Sequence, residues 1–233
     1  MRATHLAVVA VVASCVLAPL AIVALARNNG AKAPVKTLMP DPAFDAPLSA
    51  SAGTETMVVA GGCFLGVQAV FQHVKGVVSA TSGYAGGTAK TAQYEIVSSG
   101  RTGHAESVKV TYDPSRISYG QLLKIFFSVA HDPTQLNEQG PDVGPQYRSV
   151  VFAVDDTQRR IARSYIEQLQ AAKVFRRRIV TDVASSQIFY EAEAYHQDYF
   201  TRHPFDPYIL VNDRPKVEAL RRQFPELYIE RTK

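Results

Sequence analysis

The sequence predicts an α+β fold: a ferredoxin-like plait, with helices on one face of a mainly antiparallel sheet, followed by an irregular C-terminal wrap. Three observations carry this expectation. From residue 55 the apolar pattern runs strand, helix, strand, strand, helix, strand, then helix and strand again, an order that mixes hairpins with crossovers. The strand-like runs are short and end at Gly or Asp-Pro. The helical runs repeat apolar residues at i, i+3 and i+4.

Taken in order, residues 56–60 read as a buried strand that stops at Gly61-Gly62. Val67, Val70, Phe71 and Val74 then place an amphipathic helix over 64–74, and Gly76 ends it. Residues 77–84 read as a second strand running into Gly86-Gly87. Val108, Val110 and Tyr112 alternate and make 107–112 a third, closed by Asp113-Pro114. Ser118 is a capping residue for a helix to about 130. Residues 131–148 form a long loop rich in Asp, Asn, Gly and Pro, and loops of this length inside a domain are usually functional. Residues 150–154 read as a fourth strand, Asp155 or Asp156 caps a helix to about 173, and 179–183 read as a fifth strand. Residues 185–233 hold two short helices at most.

The chain has 233 residues, 46% of them hydrophobic, with a net charge of +4. That composition is ordinary for a globular protein. The one dense basic cluster, Arg176-Arg177-Arg178, has no aromatic residues interleaved and reads as a solvated face; no nucleic-acid partner is expected. Residues 6–26 carry no charge and end in Ala24-Leu25-Ala26. They read as a signal peptide or an uncleaved membrane anchor. Residues 27–54, with four prolines, read as a linker or extended arm, which leaves 55–233 as a single domain. Export to the periplasm, or tethering to the outer side of a membrane, is the expected location. Arg27, Lys32 and Lys36 beyond the apolar stretch leave a cytoplasm-facing anchor open.

Of the two cysteines, Cys15 lies in the apolar N-terminal stretch, so Cys63 is the only thiol of the domain. No CxxC pair or Cys/His spacing suggests zinc or a disulfide framework, and neither metal nor bound cofactor is expected. Cys63 stands between a strand with two glycines and the start of a helix. Free N–H groups at a helix start favour thiolate, the reactive form of cysteine. Three chemistries could use it: acyl transfer with a His base (His104, His131 or His196), peroxide reduction with a nearby Arg, or attack on a sulfoxide. The last needs an acid to protonate the departing oxygen, hydroxyls to hold it and an apolar cage for a methyl group. Glu106, Tyr94, Tyr147 and Phe64 fit in residue type, but composition does not choose among the three. Tyr195 and Tyr199, on one face if 190–199 is helical, read more simply as aromatic packing of a terminal helix.

The choice comes from a resemblance. Six runs appear in family order: Gly62-Cys63-Phe64 with Gly66, 81–87, Gly103-His104-Ala105-Glu106, 131–135, Gly144 with 146–149, and Tyr195-His196-Gln197. Over residues 55–200 the chain resembles the A-class peptide methionine sulfoxide reductases. The resemblance implies reduction of methionine S-sulfoxide, free or in proteins, and so repair of an oxidative lesion. It implies that Cys63 is the nucleophile and becomes a sulfenic acid. Glu106 would protonate the sulfoxide oxygen, Tyr94 and Tyr147 would bind it, and Phe64 would wall the methyl pocket. Leu65, Asp142, Tyr195 and His196 would complete the substrate site. A protonated Glu106 is physically expected, because a nearby thiolate raises the pKa of a carboxyl group.

Two departures from the family pattern carry consequences. Leu65 stands where the family usually has Trp, which removes a flat wall. No resolving cysteine is present: position 66 is Gly66, and residues 201–233 hold none. The sulfenic acid is then reduced by an external thiol, such as thioredoxin, glutaredoxin or a small thiol, acting on a monomer. The contrasting readings are a non-catalytic sulfoxide-binding or interaction module and, more distantly, a cysteine hydrolase.

Overall fold

The computed structural model describes residues 39–185 and 187–231. The apolar segment at 6–26 lies outside them, and no described helix is long and apolar enough to cross a membrane. The fold is mixed α+β around a six-stranded sheet.

β1 (Glu55–Ala60) leads through Gly61-Gly62 into α1 (Phe64–Gln72). β2 (Val77–Ala85), the short α2 (Tyr94–Val97) and β3 (Ala105–Tyr112) follow. α3 (Tyr119–Ile125) begins at a capping box. Gln121 N–H donates to the Ser118 hydroxyl at 3.1 Å, and Ser118 N–H donates to the Gln121 side chain at 3.0 Å. α3 passes into a wide π-type turn, Phe126–Ala130, so the helix expected to about residue 130 changes character at 126.

The stretch 131–148 is not structureless. It holds the hairpin β4 (Glu138–Gln139) and β5 (Asp142–Val143), turned at Gly140 with φ of 59°, and a 3₁₀ turn at Pro145–Tyr147. β6 (Val150–Ala153), α4 (Asp156–Ala171), β7 (Asp182–Ser185), β8 (Tyr190–Glu191), α5 (Tyr199–Arg202) and α6 (Arg214–Gln223) complete the chain.

The sheet order is β7-β6-β1-β3-β2-β8. β1 pairs antiparallel with both β3 and β6, and β2 pairs antiparallel with β3 and β8. Only β7 runs parallel to its neighbour, β6. The fifth strand therefore lies three residues later than the expected 179–183. Ile179 is buried in the core, and Val180 N–H donates to Pro133 O at 2.8 Å, so this stretch serves the 131–148 segment before pairing begins.

Alternation along β1 sends Met57 and Val59 to one face and Val58 and Ala60 to the other. The first pair joins the main core, with Val67, Val70 and Phe71 of α1, Leu122 and Leu123 of α3, and Ile161, Tyr165 and Leu169 of α4. The second pair joins a small cluster with Val150 and Phe152. Burial on both faces explains why β1 reads as a continuous apolar run rather than an alternating one.

Two flanking segments complete this core. In the arm, Asp45 accepts the N–H of Gly120 at 2.8 Å and a bond from the Ser118 hydroxyl, while Tyr165 OH donates to Pro40 O at 2.8 Å. Residues 39–54 thus cap α3 and brace α4. At the other end Val217, Leu220 and Phe224 bury α6 in the main core, and Tyr228 stacks on His73 with centroids 5.8 Å apart.

Candidate active site

The strand–Gly-Gly–Cys–helix junction is fixed by close packing. A Cβ on Gly61 would lie 2.9 Å from the His131 ring, and Gly62, at φ of 90°, runs against Gln139. Only glycines allow β1 to turn this tightly. Cys63 takes the N-cap position of α1, half-buried, with no side-chain cap bond to the helix.

Glu106 lies in β3 opposite Tyr84. The third strand begins at Ala105, two residues before the expected start, and this carries Glu106 into the sheet. Its Oε2 accepts the N–H of Phe64, the residue after the thiol, at 3.0 Å. Burial pushes the Glu106 pKa up to about 8; the Phe64 N–H opposes this, and the Asp142 charge adds to it. Glu106 is therefore neutral at pH 7, as expected, but the leading cause is loss of solvent rather than a neighbouring thiolate.

The expected resting thiolate is not supported. Burial, then the charges of Glu106 and Asp213, push the Cys63 pKa well above its ordinary value; the Leu65 N–H and Lys216 oppose them and are outweighed. The helix end acts through a single N–H, while desolvation acts on the whole group. Cys63 rests as a thiol.

Cys63, Phe64, Leu65, Tyr94, Glu106, Asp142, Tyr147, Tyr195 and His196 all line one cavity of about 490 Å³. The elements that carry them are held by separate contacts. Tyr94 N–H donates to Glu193 at 2.8 Å, and Tyr84 OH donates to the other Glu193 oxygen at 2.7 Å. Burial pushes Glu193 up, but the Tyr94 N–H, its own N–H, the Tyr84 hydroxyl and His196 together outweigh it and hold the carboxyl below its usual range. Tyr147 ends its 3₁₀ turn beside Arg148, whose guanidinium donates to Gly103 O at 2.8 Å and to His104 O at 3.1 Å. This ties the tyrosine to the start of β3. Burial raises the pKa of both Tyr94 and Tyr147, so both stay hydroxyl donors.

The Tyr195-His196-Gln197 run is clamped by Gln197. Its amide bonds both backbone groups of Ser82, at 2.9 and 3.0 Å, and accepts from Gln68 at 2.8 Å. His196 packs between Tyr94, Tyr195 and Phe64 at centroid distances of 4.5, 4.2 and 5.0 Å. Burial lowers its pKa, so it serves as a neutral wall. Tyr195 and Tyr199 line the same cavity without sharing a helix, because Asp198 at φ of 55° interrupts the backbone between them.

The other two histidines considered as a base, His131 and His104, are structural. His131 bonds Phe126 O at 3.1 Å and the Ser149 hydroxyl at 2.7 Å, and burial drops its pKa to about 4. His104 accepts from Gly87 N–H at 3.2 Å and bonds Thr88 O at 3.0 Å. Among the described residues no histidine is hydrogen-bonded to Cys63, and no arginine lines the cavity. A neutral acid, phenolic donors and an aromatic wall around one thiol match the needs of sulfoxide attack rather than acyl transfer.

Three lining residues lay outside the expected substrate site: Tyr199, Asp206 and Tyr208. All belong to the C-terminal segment. Tyr208 OH donates to the Asp142 carboxylate, and Tyr199 OH donates to Asp206 at 3.1 Å. No periodicity marks Asp206 or Tyr208 in the sequence, and Tyr199 shows only its i, i+4 spacing to Tyr195.

Residues 55–228 match the family model described as peptide methionine sulfoxide reductase. The chain belongs to this family. A peptide methionine sulfoxide reductase MsrA 2 of Mesorhizobium japonicum is 60% identical over 182 residues, covering 78% of this chain and 93% of the relative. Another MsrA 2, from Synechocystis, is 49% identical over 205 residues, covering 87% and 96%. Among solved structures, reduced Mxr1 of Saccharomyces cerevisiae superimposes with a TM-score of 0.60 at 30% identity, covering 69% of this chain and 94% of that one. Methionine sulfoxide reductase A of Corynebacterium diphtheriae gives a TM-score of 0.56 at 33% identity, covering 72% and 85%. The reductase thus acts on methionine sulfoxide as a repair enzyme, a peptide-methionine (S)-S-oxide reductase.

Proposed function

We propose that Cys63 and Glu106 carry out the reduction together. The Cys63 sulfur attacks the sulfoxide sulfur while Glu106 gives its proton to the sulfoxide oxygen, and the thiol proton restores Glu106. The S–O bond breaks, the oxygen passes to Cys63, and methionine leaves. Thiol plus sulfoxide thus becomes sulfenic acid plus thioether, with no net gain or loss of protons. Tyr94 and Tyr147 hold the oxygen, Phe64 and His196 wall the methyl group, and Asp142, Leu65 and Tyr195 contact the rest of the substrate.

One observation carries this reading. A buried carboxyl group, its pKa pushed up to about 8 by loss of solvent, accepts the N–H of the residue following the thiol at 3.0 Å. Turnover of methionine S-sulfoxide with dithiothreitol, in the wild type and in Cys63→Ser, tests it. Activity that survives in the variant overturns the role of Cys63.

Regeneration is assigned to an external thiol, with thioredoxin or glutaredoxin the expected class. The first thiol displaces water from the sulfenic acid to give a mixed disulfide, and a second releases Cys63. The cysteine count supports this, since Cys63 is the only cysteine of the domain. Oxidation with one equivalent of sulfoxide should leave Cys63 reactive to dimedone. An intramolecular disulfide would count against it.

The plait reading has support in the four central strands, β6-β1-β3-β2, all antiparallel to their neighbours. Export or membrane tethering rests on residues 6–26 alone. N-terminal sequencing of the mature protein distinguishes a cleaved signal from an anchor.

A further inference from the structure

Against the first turn of α1 lies a charge pair, a buried aspartate and a half-buried lysine, that the reaction above does not use. Asp213 is fully buried where the C-terminal π-type turn Ile209–Asp213 meets α6. One carboxylate oxygen accepts from Lys216 Nζ at 3.1 Å. The other, Oδ2, has no hydrogen-bond partner among the described residues. A buried carboxylate with an unpaired oxygen carries a large desolvation cost, so its retention calls for a reason.

Both charges press on the first turn of α1. A Cβ at Gly66 would lie 2.1 Å from Asp213 Oδ1 and 2.7 Å from Lys216 Nζ. Cys63 is the N-cap of this helix, and an N-cap side chain sits over the N–H groups of the second and third helical residues, here Leu65 and Gly66. The pair and the thiol therefore meet at one helix end.

We propose that Asp213 and Lys216 are positioning residues that set the protonation of Cys63, with Asp213 holding it as a thiol at rest and Lys216 limiting that effect. The proposal rests on Cys63 being the nucleophile, but it concerns the free enzyme. Its consequence is selectivity. A thiol kept neutral until substrate enters resists peroxide and alkylating agents, which attack the thiolate. Burial acts in the same sense on any thiol here. What the pair adds is a charge contribution that can be removed in either direction.

The groups facing Cys63 come from several elements: Glu106 on β3, Asp142 on β5, Tyr94 on α2, and Tyr147, His196 and Tyr208 on the surrounding loops. Glu106 is neutral up to about pH 8, so above that pH it too opposes the thiolate. The tyrosines keep their protons, since burial raises the pKa of Tyr94, Tyr147 and Tyr208. His196 is lowered by burial and stays neutral at alkaline pH. The Asp213–Lys216 pair can therefore be altered separately from these groups.

The test is the pH profile of Cys63 alkylation by iodoacetamide in the full chain. Peptide mass spectrometry separates Cys63 from Cys15, and sulfoxide turnover is not involved, so the result stands apart from the catalytic assignment. Asp213→Asn should lower the midpoint by about one pH unit, roughly ten-fold faster alkylation at a fixed pH below it. Lys216→Gln leaves the carboxylate uncompensated and should raise the midpoint by a similar amount. Opposite shifts are the expected result, since a purely structural pair would move both variants the same way. Unchanged midpoints, or shifts of one sign, overturn the proposal. If Asp213→Asn does not fold, Lys216→Gln alone decides: an unchanged or lower midpoint overturns it.

Discussion

Glu106 accepts the backbone N–H of Phe64 at 3.0 Å, so the acid and the nucleophile share one helix terminus. That N–H orients the carboxyl group beside the thiol in the absence of substrate. Glu106→Gln keeps an acceptor for it but has no proton to give. Turnover should fall by roughly 10²–10⁴-fold, the usual worth of a positioned acid. KM should change little, and steady-state kinetics with S-sulfoxide separates the two effects.

The same carboxyl group sets the alkaline limit of activity. Burial holds its pKa at about 8, and the protonated form is the one that can donate. kcat/KM should be level below that pH and fall ten-fold per unit above it once Glu106 ionises. Measurements from pH 6 to 10 check this. A ten-fold fall per unit already under way at pH 6, as an ordinary glutamate would give, would contradict the buried, neutral state.

Stability should carry the same signature. Folding raises the Glu106 pKa from near 4.3 in the unfolded chain to about 8. The folded state holds the proton more tightly, so the contribution is fully favourable below pH 4 and is lost as pH rises towards 8. Between pH 5 and 7.5 this single group should cost roughly 3 kcal/mol. Glu106→Gln removes that slope. Urea unfolding at the two pH values should show the variant gaining on the wild type as pH rises.

Much of this site is legible in local sequence because its main parts sit at chain punctuation. Gly61-Gly62 ahead of Cys63 marks a strand-to-helix turn, and the length of 131–148 marks a functional loop that supplies Asp142 and Tyr147. The protonation of Cys63 is not legible in the same way. A helix start is visible in sequence, whereas burial and the charge of Asp213, 150 residues away, exist only in the folded chain. Tyr208 and Asp206 escape for the same reason: they reach the cavity through tertiary packing of a segment without periodicity. The shift of the fifth strand to β7 has a comparable origin, since Val180 bonds Pro133 rather than a neighbouring strand.

The C-terminal segment should matter for binding more than for chemistry. The Tyr208 hydroxyl donates to Asp142, fixing a carboxylate that faces the cavity. Tyr208→Phe removes that bond and keeps the ring. A hydrogen bond to a charged group is worth about 1.5–3 kcal/mol, so KM for a peptide sulfoxide should rise roughly ten-fold or more with kcat nearly unchanged. An equal fall in kcat would instead place Tyr208 among the groups that act in the transition state.

Leu65 gives the most direct way to improve the enzyme. It is half-buried on the cavity wall beside Phe64, with part of its surface open to the space where substrate enters. A Trp there would extend the apolar wall begun by Phe64 and His196 while leaving Cys63 and Glu106 unsubstituted. An added aromatic contact contributes about 1 kcal/mol, so Leu65→Trp should lower KM roughly three- to ten-fold. Because the contact is made equally in ground and transition states, kcat should stay constant. A KM that is unchanged or higher would mean that the leucine fits this pocket, and that the cavity has adapted its shape around the smaller side chain.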